Sequence, residues 1–162
     1  MEIQRRPDTG LKSDDRLSPV HACLLSSSYQ HWTGRSLIPT DAIERNLAQA
    51  LFDADFALVS HGTEADPIFN YGNAAALRLF EMDWAAFTKL PSRLSAEPVS
   101  QAARAALMAK VTSQGFIDDY RGTRISASGR RFVIEQATIW NLLDVDGRYR
   151  GQAAKLDRWT YV

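Results

Sequence analysis

Apolar side chains recur at helical spacing in two segments that precede any strand signal. The first segment begins at Ser18-Pro19, because serine caps exposed amides and proline suits the first helical position. Gly34 supplies a C-terminal stop, and the second segment begins at Pro39-Thr40-Asp41. The pattern predicts two amphipathic helices. Their shared apolar faces contain Leu25, Tyr29, Trp32, Leu47 and Leu51.

Three further helices are predicted in the middle of the chain. Asn73 is placed to cap one of them, and Asp83 begins a short turn of helix. Pro98 opens a longer helix that Gly115 ends. The apolar stripe predicted for this longer helix is Val99, Ala103, Leu107 and Val111.

The strand signals fall into two groups. Residues 56–60 and 66–71 form a short predicted hairpin, and residues 116–125, 131–143 and 148–159 form three long strands joined by turn-forming residues. Two strands, a group of helices and a three-stranded meander predict an α+β fold. We expect a five-stranded antiparallel sheet with short helices on one face and the two N-terminal helices flanking it.

This order of elements divides the chain into three parts. Residues 1–17 carry few apolar side chains and are predicted to be a disordered tail. Residues 18–54 hold the N-terminal amphipathic helices, and residues 55–162 form the predicted core domain.

Composition narrows the classes of function. The chain has 162 residues, with 19 basic and 19 acidic side chains and a formal charge of zero. This balance argues against bulk attraction to nucleic acid or anionic lipid, and no run of about 18 apolar residues predicts a membrane span. One cysteine and the lack of a leader pattern predict a reducing, cytoplasmic location.

Four stretches of sequence resemble the MEKHLA family of bacterial proteins, whose fold is PAS-like. They are residues 66–77, 90–98, 129–132 and 139–144. A related domain is appended to plant class III homeodomain–leucine-zipper proteins, where it is regarded as a sensory or dimerisation-modulating module. The resemblance implies a PAS-like sensor fold with no agreed ligand or reaction.

Cofactors known in PAS-like proteins are disfavoured by the residues present. Haem needs an axial ligand near the long helix, and no histidine lies within residues 98–114. Covalent flavin needs a cysteine after the second strand, whereas Cys23 lies upstream and is expected to be a buried, inert thiol. His61 is interpreted as an ordinary turn histidine, and no metal site is predicted.

A non-covalent small-molecule ligand remains possible between the helices and the sheet, in a pocket with the usual apolar walls and a few polar groups. The aromatic candidates can instead fill the core. Arg93 can clamp a carboxylate, or it can form a structural bridge with Glu97 or Glu135. The candidate ligand-binding residues are Trp84, Phe87, Arg93, Arg124, Trp140 and Asn141.

Both faces of the predicted strand 131–143 are substantially apolar, which indicates cover on each side. Simple alternation places Phe132, Ile134, Trp140 and Leu142 on one face. The N-terminal helices can cover the outer face in this chain or in a partner's. We therefore expect a homodimer whose contact includes Leu25, Tyr29, Trp32, Leu47 and Leu51.

The leading interpretation is a stand-alone PAS-like sensory module without catalytic residues. It would bind an unknown small molecule and act on an unidentified output protein. One alternative is a small α+β enzyme of the isomerase or hydratase type, for which Tyr120 with Asp118 is the local candidate pair. Another is a dimerising adaptor without a ligand.

Overall fold

The computed structural model describes residues 15–96 and 101–162. Most of the predicted tail, together with Glu97 and Pro98, lies outside the described residues. Asp15–Leu17 forms a short 3-10 turn. None of the helices in the described ranges is long and apolar enough to cross a membrane.

The two N-terminal helices are α1, Pro19–Thr33, and α2, Thr40–Phe52. The side chain of Ser18 accepts a hydrogen bond from the amide of His21, and Gly34 ends α1 with a φ of 72°. Helix α2 is interrupted at Asn46, where the backbone is extended. The Asn46 side chain accepts a hydrogen bond from the Gln49 amide at 3.1 Å, so it caps the second half of α2.

A short hairpin and three more helices follow. Asn73 and Asp83 cap the next two helices as predicted, because their side chains accept hydrogen bonds from the amides three residues further on. A 3-10 turn, Ser92–Ser95, precedes the last helix. The elements are β1 (Ala57–His61), β2 (Phe69–Gly72), α3 (Ala74–Phe80), α4 (Trp84–Phe87) and α5 (Gln101–Gln114).

The second half of the chain is the antiparallel meander that the pattern predicts. Its strands are β3 (Phe116–Ile125), β4 (Arg131–Leu143), β5 (Tyr149–Leu156) and β6 (Arg158–Tyr161). The sheet order is β2-β1-β5-β4-β3, and β6 pairs with β4. The last predicted strand therefore divides at Asp157, and its two parts pair with different halves of β4. The predicted α+β fold is confirmed.

Each face of the sheet carries its own apolar core. The inner core lies under α3, α4 and α5, and its fully buried aromatic side chains are Phe80, Phe87 and Phe132. The outer core lies under α1 and α2 and contains Leu25, Leu51 and Trp140.

A bulge in β4 decides which side chains face each core. Tyr120 pairs with Ala137 and Gly122 with Ile134, so β4 uses one more residue than β3 across this step. The extra residue lets Phe132 and Ile134 share the inner core with Ala137, while Trp140 lies in the outer core. The predicted alternation along this strand is therefore wrong.

The conformation of Gln136 makes this bulge testable, because its φ of 52° is in the left-handed region. Gln136→Gly is expected to raise the free energy of unfolding by about 0.5 kcal/mol, whereas Gln136→Val is expected to lower it by about 1.5 kcal/mol. Glu135→Gly, at the exposed neighbouring position, is the control and is expected to be destabilising. Chemical denaturation measures all three, and a more stable valine variant would contradict the bulge.

Candidate functional site

A cavity of about 40 Å³ lies between the inner face of the sheet and α5. Its size is about three times the ~10–15 Å³ that one water-sized group needs. Its walls are mainly apolar, with a polar set at one side. The apolar members include Phe69, Phe80, Met108, Ile134 and Ile139, and the polar members are Ser60, His61, Ser95, Arg104, Tyr120, Arg124 and Gln152.

Arg124 projects from β3 into this cavity. It is 7% exposed, and its guanidinium carbon lies 5.3 Å from the centre of the Tyr120 ring. One terminal nitrogen, Nη1, has no hydrogen-bond partner among the described residues. Burial lowers the pKa of Arg124, which is the expected effect of removing a cation from water.

Arg104 reaches the same cavity from α5. Its Nη2 donates a hydrogen bond to Ser92 Oγ at 2.7 Å, while its buried Nε has no partner among the described residues. Burial and the nearby charge of Arg124 lower the pKa of Arg104 to about 10, so it stays cationic at neutral pH. Two guanidinium groups thus line a cavity whose described walls contain no carboxylate.

His61 presents a hydrogen-bond acceptor to this cavity. Its Nδ1 lies 2.9 Å from the carbonyl oxygen of Gly62, so Nδ1 carries the proton and donates it to that carbonyl. Burial, and then the charge of Arg104, lower the pKa of His61. With the proton on Nδ1, the buried Nε2 is an acceptor without a partner in hydrogen-bond geometry among the described residues, and the Gln152 side chain lies near enough to raise the pKa of His61 against the effect of burial.

Gln152 is 2% exposed and supplies a second acceptor, because its Oε1 has no partner among the described residues. Its amide nitrogen Nε2 donates to Asn141 Oδ1 at 3.1 Å and also contacts α5, at the Met108 carbonyl and at Thr112 Oγ1. These bonds fix the side chain at the junction between β4, β5 and α5. The cavity therefore combines two cationic donors with two neutral acceptors.

Of the six predicted ligand-binding residues, Arg124 lines this cavity. Asn141 lies behind Gln152 and donates to the Val111 carbonyl of α5 at 2.9 Å. Arg93 is half-exposed and forms an ion pair with Asp66 at 3.1 Å, so neither a cavity role nor the expected bridge to Glu135 is found.

The three predicted aromatic ligand contacts lie in the cores instead. Phe87 stacks on Phe69, with ring centres 4.2 Å apart. Trp84 belongs to the outer core, and so does Trp140, which meets Tyr29 edge to face at 4.9 Å. The interpretation of these rings as core-filling side chains agrees with the structure.

The residues predicted for a dimer contact are mostly used within one chain. Leu25 and Leu51 are 0% exposed and Tyr29 is 5% exposed, since α1 and α2 cover the outer face of the sheet. Trp32 and Leu47 pack partly buried against the same core. In this packing these apolar faces cover the sheet of their own chain, and the homodimer contact stays a prediction.

Three polar contacts fix α1 to the sheet. His21 Nε2 lies 2.9 Å from Ser60 Oγ, and burial lowers the pKa of His21 to about 4, which keeps the ring neutral. Ser28 Oγ accepts from the Leu143 amide at 2.9 Å. Trp32 Nε1 donates to the Asn141 carbonyl at 3.0 Å.

The candidate enzyme pair is not assembled. A second register shift between Ile117 and Tyr120 leaves Asp118 exposed, while Tyr120 is buried and faces the cavity. The expected common face for Asp118 and Tyr120 is therefore wrong. Cys23 is also exposed rather than buried.

The sequence analysis named Arg124 alone among the seven polar cavity residues as ligand-binding. It did not assign that role to the other six, which are Ser60, His61, Ser95, Arg104, Tyr120 and Gln152. For Arg104 a signal was present, because it precedes Met108 by four positions and the buried Val111 by seven. The predicted stripe included Ala103, which is exposed. The inward face of α5 is rotated by about one position from the prediction, and it carries an arginine.

Comparison with known proteins assigns the family. Residues 20–161 match the MEKHLA domain family. The chain belongs to that family. This MEKHLA domain is 27% identical over 143 residues to the homeobox-leucine zipper protein ATHB-9 of Arabidopsis thaliana, covering 85% of this chain and 17% of that protein. The chain thus spans a small part of the curated relatives it matches.

The fold of the MEKHLA domain is similar to those of solved PAS and light-sensing domains. A PAS domain of a protein from Colwellia psychrerythraea aligns with a TM-score of 0.61 and 14% identity, over 72% of this chain and 95% of that one. The light-state dimer of the fungal blue-light photoreceptor Vivid aligns with a TM-score of 0.60 and 15% identity, over 97% of this chain and 100% of that one. The likeness establishes a PAS-like fold.

Proposed function

We propose that this MEKHLA domain is a non-enzymatic sensory module that binds a small molecule in the cavity under α5. Its N-terminal helices would pass the binding event to a protein partner. The observation that carries the proposal is the cluster of buried atoms on Arg104, Arg124, His61 and Gln152 that lack partners among the described residues.

The energetic cost of this cluster supports a ligand. A buried polar group without a hydrogen bond costs about 1–3 kcal/mol, and more when it is charged. A domain whose task was packing alone would be more stable with apolar side chains at Arg124 and Gln152. A bound molecule that supplies the missing partners would offset the cost only when it is present.

A short chain of contacts links the cavity to the helices on the opposite face. Gln152 lines the cavity and donates to the Asn141 side chain. The Asn141 carbonyl accepts from Trp32 of α1. A ligand that moves Gln152 therefore changes the position of Asn141, whose carbonyl accepts the hydrogen bond from Trp32. The ligand can shift α1 between two positions only as far as its affinity for the protein differs between those two positions.

The outward surface of α1 is the proposed contact with a protein partner. The outward surface of α1 exposes Val20, which is 81% exposed, and Cys23, next to the fully exposed Val145. In this proposal a homodimer or an unidentified output protein contacts this surface rather than the covered core face. A cytoplasmic location and a ligand without haem, covalent flavin or metal stay predictions.

Filling the cavity tests the proposed binding. Ala154 lines the cavity on β5, so Ala154→Leu is expected to remove retained or added small molecules, measured by native mass spectrometry and by thermal shift across a metabolite library. Ala106→Leu, on the exposed face of α5, is the matched control. Equal binding by both variants and the parent would contradict the cavity as the binding site.

A further inference from the structure

We propose that the ligand of this cavity is a small carboxylate, held by Arg104 and Arg124. The inference rests on the proposed binding function and names the chemical class of its ligand. Of the six residues expected from the sequence it uses Arg124 alone, because Arg104 was not among them and Arg93 lies at the surface in an ion pair with Asp66.

The charge of the cavity favours an anionic ligand. Arg104 and Arg124 repel one another, and each loses hydration on burial. The other polar wall residues, among them His61 and Ser95, are not acidic, and Asp66 is held on the surface by Arg93. Tyr120 and the Asp66 carboxylate raise the pKa of Arg104, but no carboxylate lies among the described cavity walls, so an anion is the complementary ligand.

The planar shape of the two guanidinium groups favours a carboxylate among the possible anions. Arg124 Nη1 and Arg104 Nε are N–H groups of planar guanidinium groups without partners among the described residues. Guanidinium groups suit carboxylate oxygens, which accept two N–H bonds side by side. The apolar walls, including Phe69, Phe80 and Ile134, would face a short hydrocarbon part.

The volume of the cavity limits the size of the acid. A cavity of about 40 Å³ holds a few non-hydrogen atoms, given ~10–15 Å³ for each water-sized group. Formate and acetate fit this limit, whereas a six-carbon acid would have to displace Met108 or a neighbouring side chain. A hydroxyl group on the acid can donate its one hydrogen to either His61 Nε2 or Gln152 Oε1.

Calorimetric titration of the full chain tests the inference with sodium acetate, and with acetamide, hexanoate and sodium chloride at matched ionic strength. Acetate is expected to bind. Acetamide is expected to bind at least about tenfold more weakly, since each charge-assisted hydrogen bond to a carboxylate contributes roughly that factor or more. Hexanoate keeps the carboxylate, but it is also expected to bind more weakly because its chain exceeds the cavity volume. Chloride at the same concentration is expected to compete weakly or not at all.

Arginine variants locate the binding. Arg124→Met and Arg104→Met are each expected to weaken acetate at least about tenfold. Arg93→Met, at the surface ion pair with Asp66, is the matched control and is expected to stay within about twofold. If Arg124→Met fails to fold, Arg104→Met still provides the test, because Arg104 is only half-buried and its replacement disturbs the core less.

Three outcomes would overturn the inference. One is acetate affinity that is unchanged in both cavity variants, and another is equal heat from acetate and chloride. The third is a rise of about tenfold or more in acetate affinity for Glu97→Gln, which would show that a carboxylate of the chain itself fills the site. A neutral metabolite that binds the parent and Arg124→Met equally, but not Ala154→Leu, would overturn the carboxylate and leave the sensory proposal standing.

Discussion

Replacing Asn73 with alanine is expected to lower the free energy of unfolding by about 4 kcal/mol, because several buried backbone groups lose their partners together. Asn73 is 0% exposed. Its Oδ1 accepts from the amides of Leu58, at 2.9 Å, and Ala76, at 3.0 Å. Its Nδ2 donates to the carbonyls of Leu51, at 3.0 Å, and Phe56, at 2.8 Å.

These four bonds join the end of α2, the start of β1 and the first turn of α3 through one side chain. Asp83→Ala is the control for helix capping alone, since Asp83 caps the exposed start of α4 with one bond to the Ala86 amide at 2.8 Å. It is expected to cost about 1 kcal/mol. Urea denaturation followed by circular dichroism measures both, and equal losses would show that Asn73 acts as a cap and nothing more.

Truncation of Trp140 to alanine is expected to lower the free energy of unfolding by about 4 kcal/mol, because it empties the centre of the outer core. The side chain is 0% exposed and packs edge to face on Tyr29. Trp140→Phe is expected to cost only about 1 kcal/mol, since Trp140 Nε1 has no hydrogen-bond partner among the described residues to lose.

Trp140→Phe and Arg124→Met together separate the two faces of the sheet. Trp140→Phe is expected to bind small molecules as the parent does, because Trp140 faces α1 and the cavity lies on the other side. Calorimetric titration of this variant beside Arg124→Met makes the comparison. Loss of binding in Trp140→Phe at unchanged stability would place Trp140 in the site and contradict the bulge at Gln136.

The starts of three helices and the bounds of two long strands could be predicted from local chemistry. Ser18, Asn73 and Asp83 cap helices where the pattern placed them, because a cap depends on a side chain and an amide two or three residues away. The bounds of β3 and β4 also agree with the residues predicted for them. The order of these elements predicted the α+β sheet, and the MEKHLA resemblance implied its PAS-like fold.

The side-chain directions at the sheet could not be predicted in the same way. Gln136 takes a left-handed conformation without being glycine or asparagine, so nothing in its neighbourhood marks the bulge. One extra residue reverses every side chain beyond it. That reversal moves Trp140 to the outer core, and a second shift exposes Asp118 while Tyr120 stays buried.

Local sequence thus specifies the helices and strands, since each of them depends on residues a few positions apart. The order of these elements along the chain, with the MEKHLA motifs, specifies the fold family. The cavity depends on residues from α5, β1, β3 and β5, which meet only when the sheet closes against the helix. Arg104 and Arg124 are 20 positions apart and gain their shared role from burial and repulsion, which arise only in the folded chain.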